Sequence, residues 1–184
     1  MRAFTIKHLN CRSALALIAL LVAFPAAHAQ SLSGQALVSA LRAGGYVILM
    51  RHASSPASRP DKATAQPDNP DLERQLDDTG RTSAQAMGEA IRGLKVPIGK
   101  VLSSPTYRAL QTIKLAQLGS PTTAEELGDG GQTMQADKGG MSASWLKAKT
   151  AALPGPHENT LIVTHFPNII EAFPDAAGLA DGEA

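Results

Sequence analysis

The chain has 184 residues, 43% hydrophobic and 18% charged, the composition of one globular domain rather than a disordered chain or a coiled coil. Three of its 17 basic residues (Arg2, Lys7, Arg12) fall in the first twelve positions and no acid precedes Asp61, so residues 30–184 keep 14 basic against 16 acidic side chains, a net charge of −2. That balance excludes a nucleic-acid binder working through a broad basic face. The single cysteine, Cys11, also lies in the leader, which excludes disulfide scaffolds, thiolate zinc sites and cysteine nucleophiles from the rest of the chain.

Arg2, Lys7 and Arg12 precede an apolar run over residues 14–24, and Ala27-His28-Ala29 supplies small residues two apart. This is the pattern of a secretory signal peptide over residues 1–29 with cleavage after Ala29. The run is about a dozen residues, short of the ~20 that span a bilayer as a helix. The expectation is export to the periplasm or the medium, without a stable membrane anchor, of one domain over residues 30–184.

Residues 32–42 carry Leu32, Ala36, Leu37, Ala40 and Leu41 at helical spacing, with Gly44-Gly45 as the stop. Tyr46-Val47-Ile48-Leu49-Met50 is a continuous apolar run of strand length, as in a parallel sheet covered on both faces. Residues 53–72 hold four prolines and no periodicity, so they read as a loop. Asp77 or Thr79 caps the next helix, whose stripe is Ala84, Met87, Ile91 and Leu94, and Pro97 ends it. Lys100-Val101-Leu102-Ser103 reads as a second strand. Pro105 then opens a helix to about Gln117 with Leu110, Ile113 and Leu115 on its apolar side. Residues 119–140 are rich in Gly and Thr and read mainly as loop. A helix over 142–152 turns Trp145 and Leu146 to the core, Thr160-Leu161-Ile162-Val163-Thr164 is the third strand, and 168–173 starts another helix. Alternating strands and helices predict an α/β fold: an open, mostly parallel sheet with helices on both faces.

In such sheets ligands bind beyond the carboxyl ends of the strands. The first strand delivers Arg51-His52, the second Ser103-Ser104-Pro105 with Tyr107-Arg108 one turn later, and the third His165. Parallel neighbours would bring two arginines and two histidines to one rim. Guanidinium groups pair bidentately with phosphoryl oxygens, a helix N-terminus favours an anion, and imidazole can attack phosphorus. His157 precedes the third strand and reads as a surface residue. Its spacing to His165 misses the H-E-x-x-H zinc pattern, and no P-loop motif is present.

The pieces Tyr46-Val47-Ile48-Leu49-Met50-Arg51-His52-Ala53, Leu76-Asp77-Asp78-Thr79-Gly80-Arg81, Val101-Leu102-Ser103-Ser104-Pro105-Thr106-Tyr107-Arg108-Ala109-Leu110-Gln111-Thr112 and Leu161-Ile162-Val163-Thr164-His165 resemble, in this order, the histidine phosphatase superfamily with its phosphoglycerate-mutase-like fold. The resemblance implies a phosphatase acting through a phosphohistidine on His52, with Arg51, Arg108 and His165 holding the phosphoryl group and Ser55 adding a contact. It implies no metal and no cofactor, and as partner a small phosphorylated substrate rather than nucleic acid. No sequence feature sets an oligomeric state. Ala53 stands where the family often has Gly, and Phe166-Pro167 replaces the His-Asp pair of the acid phosphatase branch. Glu125, Glu126 and Asp129 are the candidates for a proton-donating acid, and the chain would resemble the small phosphohistidine-phosphatase-like members more than the mutases. Family members run on from a Gly-Glu such as Gly182-Glu183 into another strand, so a C-terminal strand is expected to be missing here. Two further readings stand beside this one. The first is a non-catalytic phosphate-binding or degenerate member. The second, a serine hydrolase on Ser103 or Ser104, lacks the G-x-S-x-G elbow.

Overall fold

The computed structural model describes residues 32–56, 72–129 and 140–184. The expected signal peptide, most of the proline-rich loop and residues 130–139 of the Gly-rich segment lie outside the described residues. Among the described residues no helix is long and apolar enough to cross a membrane.

Helix α1 (Gly34–Ala43) ends at Gly44, whose φ of 79° continues no helix. Strand β1 (Val47–Arg51) follows, then α2 (Asp78–Gly93), β2 (Ile98–Ser103), α3 (Tyr107–Ala116), the two-residue β3 (Thr122–Thr123), α4 (Met141–Thr150), β4 (Asn159–Thr164) and α5 (Phe166–Ala172). All pairings are parallel, in the order β1-β4-β2-β3. The three expected strands are therefore neighbours, as the convergence of their ends requires. The fourth, β3, is too short to leave an apolar run.

Alternating strand residues divide the core into two layers. Met50, Val101, Leu161 and Val163 meet Ala109, Ile113 and Ala116 of α3 and Met87 and Ile91 of α2 on one face. Leu102 and Ile162 meet Ala143 and Leu146 of α4 and Ala172 of α5 on the other. This is the open α/β sheet with helices on both faces that the periodicity predicts. One detail differs. The inner face of α3 is Arg108, Ala109, Thr112, Ile113 and Ala116, while Leu110 and Leu115 are only half-buried. Small residues win that face because α2 lies close: a side chain on Gly88 would meet the Ala116 carbonyl oxygen at 1.9 Å.

The first turn of α2 is fastened to the segment that follows β1. Asp77 caps the helix by accepting from the Gly80 amide (2.7 Å) and also accepts from the Ser54 hydroxyl (2.7 Å). Those bonds, the Gly80 amide foremost, hold its carboxyl below the usual carboxylate range. A Cβ on Gly80 would lie 2.1 Å from the Ser54 carbonyl oxygen, so only glycine permits this approach. Residues 52–55 are thereby clamped between α2 and the sheet.

Candidate active site

The carboxyl ends of β1 and β4 place His52 and His165 with ring centroids 5.1 Å apart and planes at 66°. Both imidazoles are buried, as is Arg108 on the first turn of α3. The His52 amide donates to the Thr164 carbonyl (3.0 Å), and the Ser104 amide to the Val163 carbonyl (2.9 Å). Sheet hydrogen bonding thus continues past the strand ends and sets the site's register.

The Nδ1 atom of His52 lies 2.7 Å from the Ala53 carbonyl oxygen. A carbonyl only accepts, so Nδ1 carries the proton and Nε2 keeps its lone pair. Arg108 donates from Nε to that Nε2 at 3.2 Å. The Ala53 amide is itself held by the Thr112 hydroxyl (3.1 Å), whose proton goes to the Arg108 carbonyl (2.8 Å). Burial pushes the His52 imidazole down to about 4. Arg108, Arg74 and Arg51 act in the same direction, against the Ala53 bond. His52 is therefore neutral at physiological pH, with its free nitrogen facing a guanidinium.

His165 is the complementary tautomer. Its Nδ1 accepts from an Arg108 terminal nitrogen at 3.1 Å, so Nε2 carries the proton and donates to the Ser104 hydroxyl (2.9 Å), with the Thr106 hydroxyl at 3.3 Å. Burial, then Arg108, pushes its ionisation well below the ordinary value, with Asp129 opposing. The same Arg108 nitrogen donates to the Asp129 carboxylate, forming an ion pair. The segment before Asp129 is held by β4 and α5. Thr164 donates to the Leu127 carbonyl (2.7 Å), and Asn168 donates to the Gly128 carbonyl (2.5 Å) and to the Thr164 hydroxyl (3.1 Å).

Of the residues singled out from the sequence, His52, Arg108 and His165 form one hydrogen-bonded cluster. Arg51 leaves β1 toward the C-terminal segment. It pairs with Asp181 at 2.6 Å, donates to the Leu179 carbonyl at 3.4 Å and lies 5.0 Å from the Phe166 ring centroid. Its Nε is buried with no hydrogen-bond partner among the described residues. Ser55 donates to the Gln75 carbonyl (2.7 Å) and accepts from Arg74 (3.0 Å), a loop-fastening role. Of the three acid candidates, Asp129 joins the cluster. Glu125 is exposed and Glu126 half-exposed. His157 is exposed, as its position before β4 implies. Among the described residues no group of three or more His, Cys, Asp or Glu could hold a metal ion.

The sequence pattern does not single out Arg74. Arg74 also donates to the Ser55 carbonyl (2.9 Å), and its charge reaches His52, Arg108 and Arg51. Its one available signal is position: three residues before the Asp77 cap, which α2 fixes against Ser54.

Residues 47–129 match the sequence model of the Histidine phosphatase superfamily (branch 1). The span runs from β1 to Asp129 and so contains His52, Arg108 and Asp129, while His165 is added by the fold. No curated protein matches the chain in sequence. Among solved structures, SixA from Nakamurella multipartitia is 26% identical with a TM-score of 0.49, over 71% of this chain and 65% of that one. The chain thus spans a little under two thirds of that relative's length. The protein histidine phosphatase SixA complexed with tungstate is 24% identical (TM-score 0.48, 68% of this chain, 72% of that one). The mycobacterial glucosyl-3-phosphoglycerate phosphatase is 18% identical (TM-score 0.42, 74% and 81%).

Proposed function

We propose that this protein is an exported phosphatase that hydrolyses small phosphomonoesters or related phosphates through a phosphohistidine on His52, without a metal ion. The family match supports phosphatase chemistry. The observation that carries the finer reading is the His52 tautomer: Nδ1–H bound to the Ala53 carbonyl, and a neutral Nε2 held opposite Arg108.

In this reading the Nε2 lone pair attacks phosphorus as the bond to the leaving oxygen breaks. The Arg108 N–H groups, which here bond the two ring nitrogens, turn to the phosphoryl oxygens. Arg51, whose Nε bonds none of the described residues, serves the same purpose. Charge neutralisation and positioning are most of what phosphoryl transfer requires. The Ala53 carbonyl stabilises the cationic imidazole of the intermediate by keeping its Nδ1 proton. Water then attacks phosphorus, the P–N bond returns its electron pair to Nε2, and inorganic phosphate leaves. Export rests on the leader over residues 1–29, and the periplasm is its first destination.

The test is hydrolysis of p-nitrophenyl phosphate by the protein from residue 30 onward, with EDTA present, beside His52→Ala. The expected result is turnover that EDTA leaves intact and that the substitution lowers by at least about 10⁴-fold. Phosphate binding without turnover in the folded protein would favour the binding-only reading.

A further inference from the structure

Phosphoryl transfer to His52 depends on two groups keeping their relative position: its Nε2 atom and the Arg108 guanidinium, 3.2 Å apart. They stand on different elements, His52 just past β1 and Arg108 on the first turn of α3. Thr112 connects the two backbones. It lies one turn after Arg108 on the buried face of α3 and is 0% exposed. Its hydroxyl donates to the Arg108 carbonyl (2.8 Å) and accepts from the Ala53 amide (3.1 Å). Both directions are forced, because a carbonyl only accepts and an amide only donates.

We propose that Thr112 is a positioning residue of this site: its hydroxyl ties the backbone of the nucleophile to the helix that carries Arg108, so that Nε2 meets the phosphoryl group where Arg108 holds it. The inference rests on the phosphohistidine reading above.

The peptide group that Thr112 holds is the one joining His52 to Ala53. Its carbonyl takes the Gly182 amide (3.1 Å), from a stretch in which Asp181 and Glu183 are exposed. Its N–H goes to Thr112. The next carbonyl along, that of Ala53, takes the Nδ1 proton of His52 (2.7 Å) and so sets the tautomer. Thr112 thus acts on Nε2 through a single residue of backbone. The other fastenings of this segment hold a different part of it. Asp77, Gly80 and Gln75 meet Ser54 and Ser55, and they lie on α2 or just before it, not on the helix of Arg108.

A buried amide without an acceptor is unfavourable, and Ala53 is fully buried. Valine has the shape of threonine without the hydroxyl, so Thr112→Val opens no cavity but strands that N–H. The peptide turns to relieve it, the Ala53 carbonyl turns as well, and Nδ1–H loses its fixed direction. A displacement of about 1 Å at a reacting group lowers a rate about 10²-fold. Phosphate binding falls to the Arg108 and Arg51 side chains and is spared.

The experiment uses wild type, Thr112→Val and Thr112→Ser. It measures phosphoenzyme formation from p-nitrophenyl phosphate in a single turnover, the inhibition constant of inorganic phosphate, and the nitrogen NMR signals of the His52 ring in the resting protein. Thr112→Val is expected to lower the rate about 10²-fold and to change the phosphate constant by no more than a few-fold. His52, a single Nδ1–H tautomer in wild type, should become a mixture in the valine variant. Thr112→Ser keeps the hydroxyl and should recover most of the rate and the single tautomer. Thr112→Ala, also without the hydroxyl, stands in for a valine variant that fails to fold, and the same loss is expected. The assignment is overturned, with phospho-His52 left intact, by any of four results: a valine variant at the wild-type rate, one whose His52 keeps a single tautomer, a serine variant as slow as the valine one, or phosphate binding weakened as much as the rate. A wild type that forms no acid-labile phosphoenzyme would remove the phosphohistidine reading, and this inference with it.

Discussion

The two histidines of the site are held in opposite ways. His165 ends β4, the strand between β1 and β2, in which every residue from Asn159 to Thr164 is buried. His52 ends β1, which among the described residues pairs with a strand on one side only and in which Met50 alone is fully buried. Apolar packing on both sheet faces fixes His165. Polar bonds fix His52: its amide to Thr164, its Nδ1 to Ala53, and the Ala53 amide to Thr112. Among the described residues the other edge of β1 is met by the C-terminal segment, where the Arg51 amide bonds the Glu183 carbonyl (3.0 Å) and the Gly182 amide bonds the His52 carbonyl (3.1 Å). A reactive imidazole on an edge strand is thus oriented without deep packing, and its partner imidazole is set by the core itself. Arg108 joins the two by donating to both ring nitrogens.

Breaking that bridge should have the largest effect. Arg108→Ala removes the donor common to both rings and the main neutralising charge, and kcat/KM for p-nitrophenyl phosphate should fall about 10²–10³-fold. Asp129 loses its ion-pair partner in the same variant, so melting should be recorded beside activity. Next comes the contrast in packing. Leu161→Ala in β4 should cost about 2–5 kcal/mol in urea unfolding, because Leu161 is fully buried. Val47→Ala in β1, only half-buried, should cost about 1 kcal/mol. Equal costs would mean that the edge strand is as deeply committed as the centre.

The smallest effect is in pH. Both imidazoles ionise below the ordinary histidine value in the folded protein, His52 at about 4. The unfolded chain therefore binds more protons between about pH 6.5 and 4, and stability should fall as pH drops through that window. The measurement is the urea midpoint at pH 7 and pH 4.5. His52→Asn should flatten part of the decline, and an unchanged slope in that variant would argue that His52 is not buried neutral.

The sequence shows most of this site because its groups sit where apolar runs stop. Arg51-His52, Ser103-Ser104 and His165 each follow a strand-length run, and the parallel pairing of those strands turns three separate ends into one rim. What is illegible has physical reasons. Arg51 also ends a strand, yet its side chain goes to Asp181, a partner supplied by a segment with no periodic pattern. Arg74 follows a proline-rich stretch and reaches Ser55 on the loop after His52, beside the contacts of Asp77 and Gly80 with Ser54. That long-range contact leaves no local trace. The inner face of α3 was read from its leucines, but the close approach of Gly88 favours Ala109 and Ala116 there.

The central claim is that His52 itself carries the phosphoryl group. The most direct measurement is to quench the protein during turnover of p-nitrophenyl phosphate under alkaline conditions and map the phosphorylated peptide by mass spectrometry. The account predicts an acid-labile phosphate on the peptide containing His52, absent from His52→Ala. Phosphate on Ser103, Ser104 or His165, or turnover with no phosphorylated peptide, would contradict it.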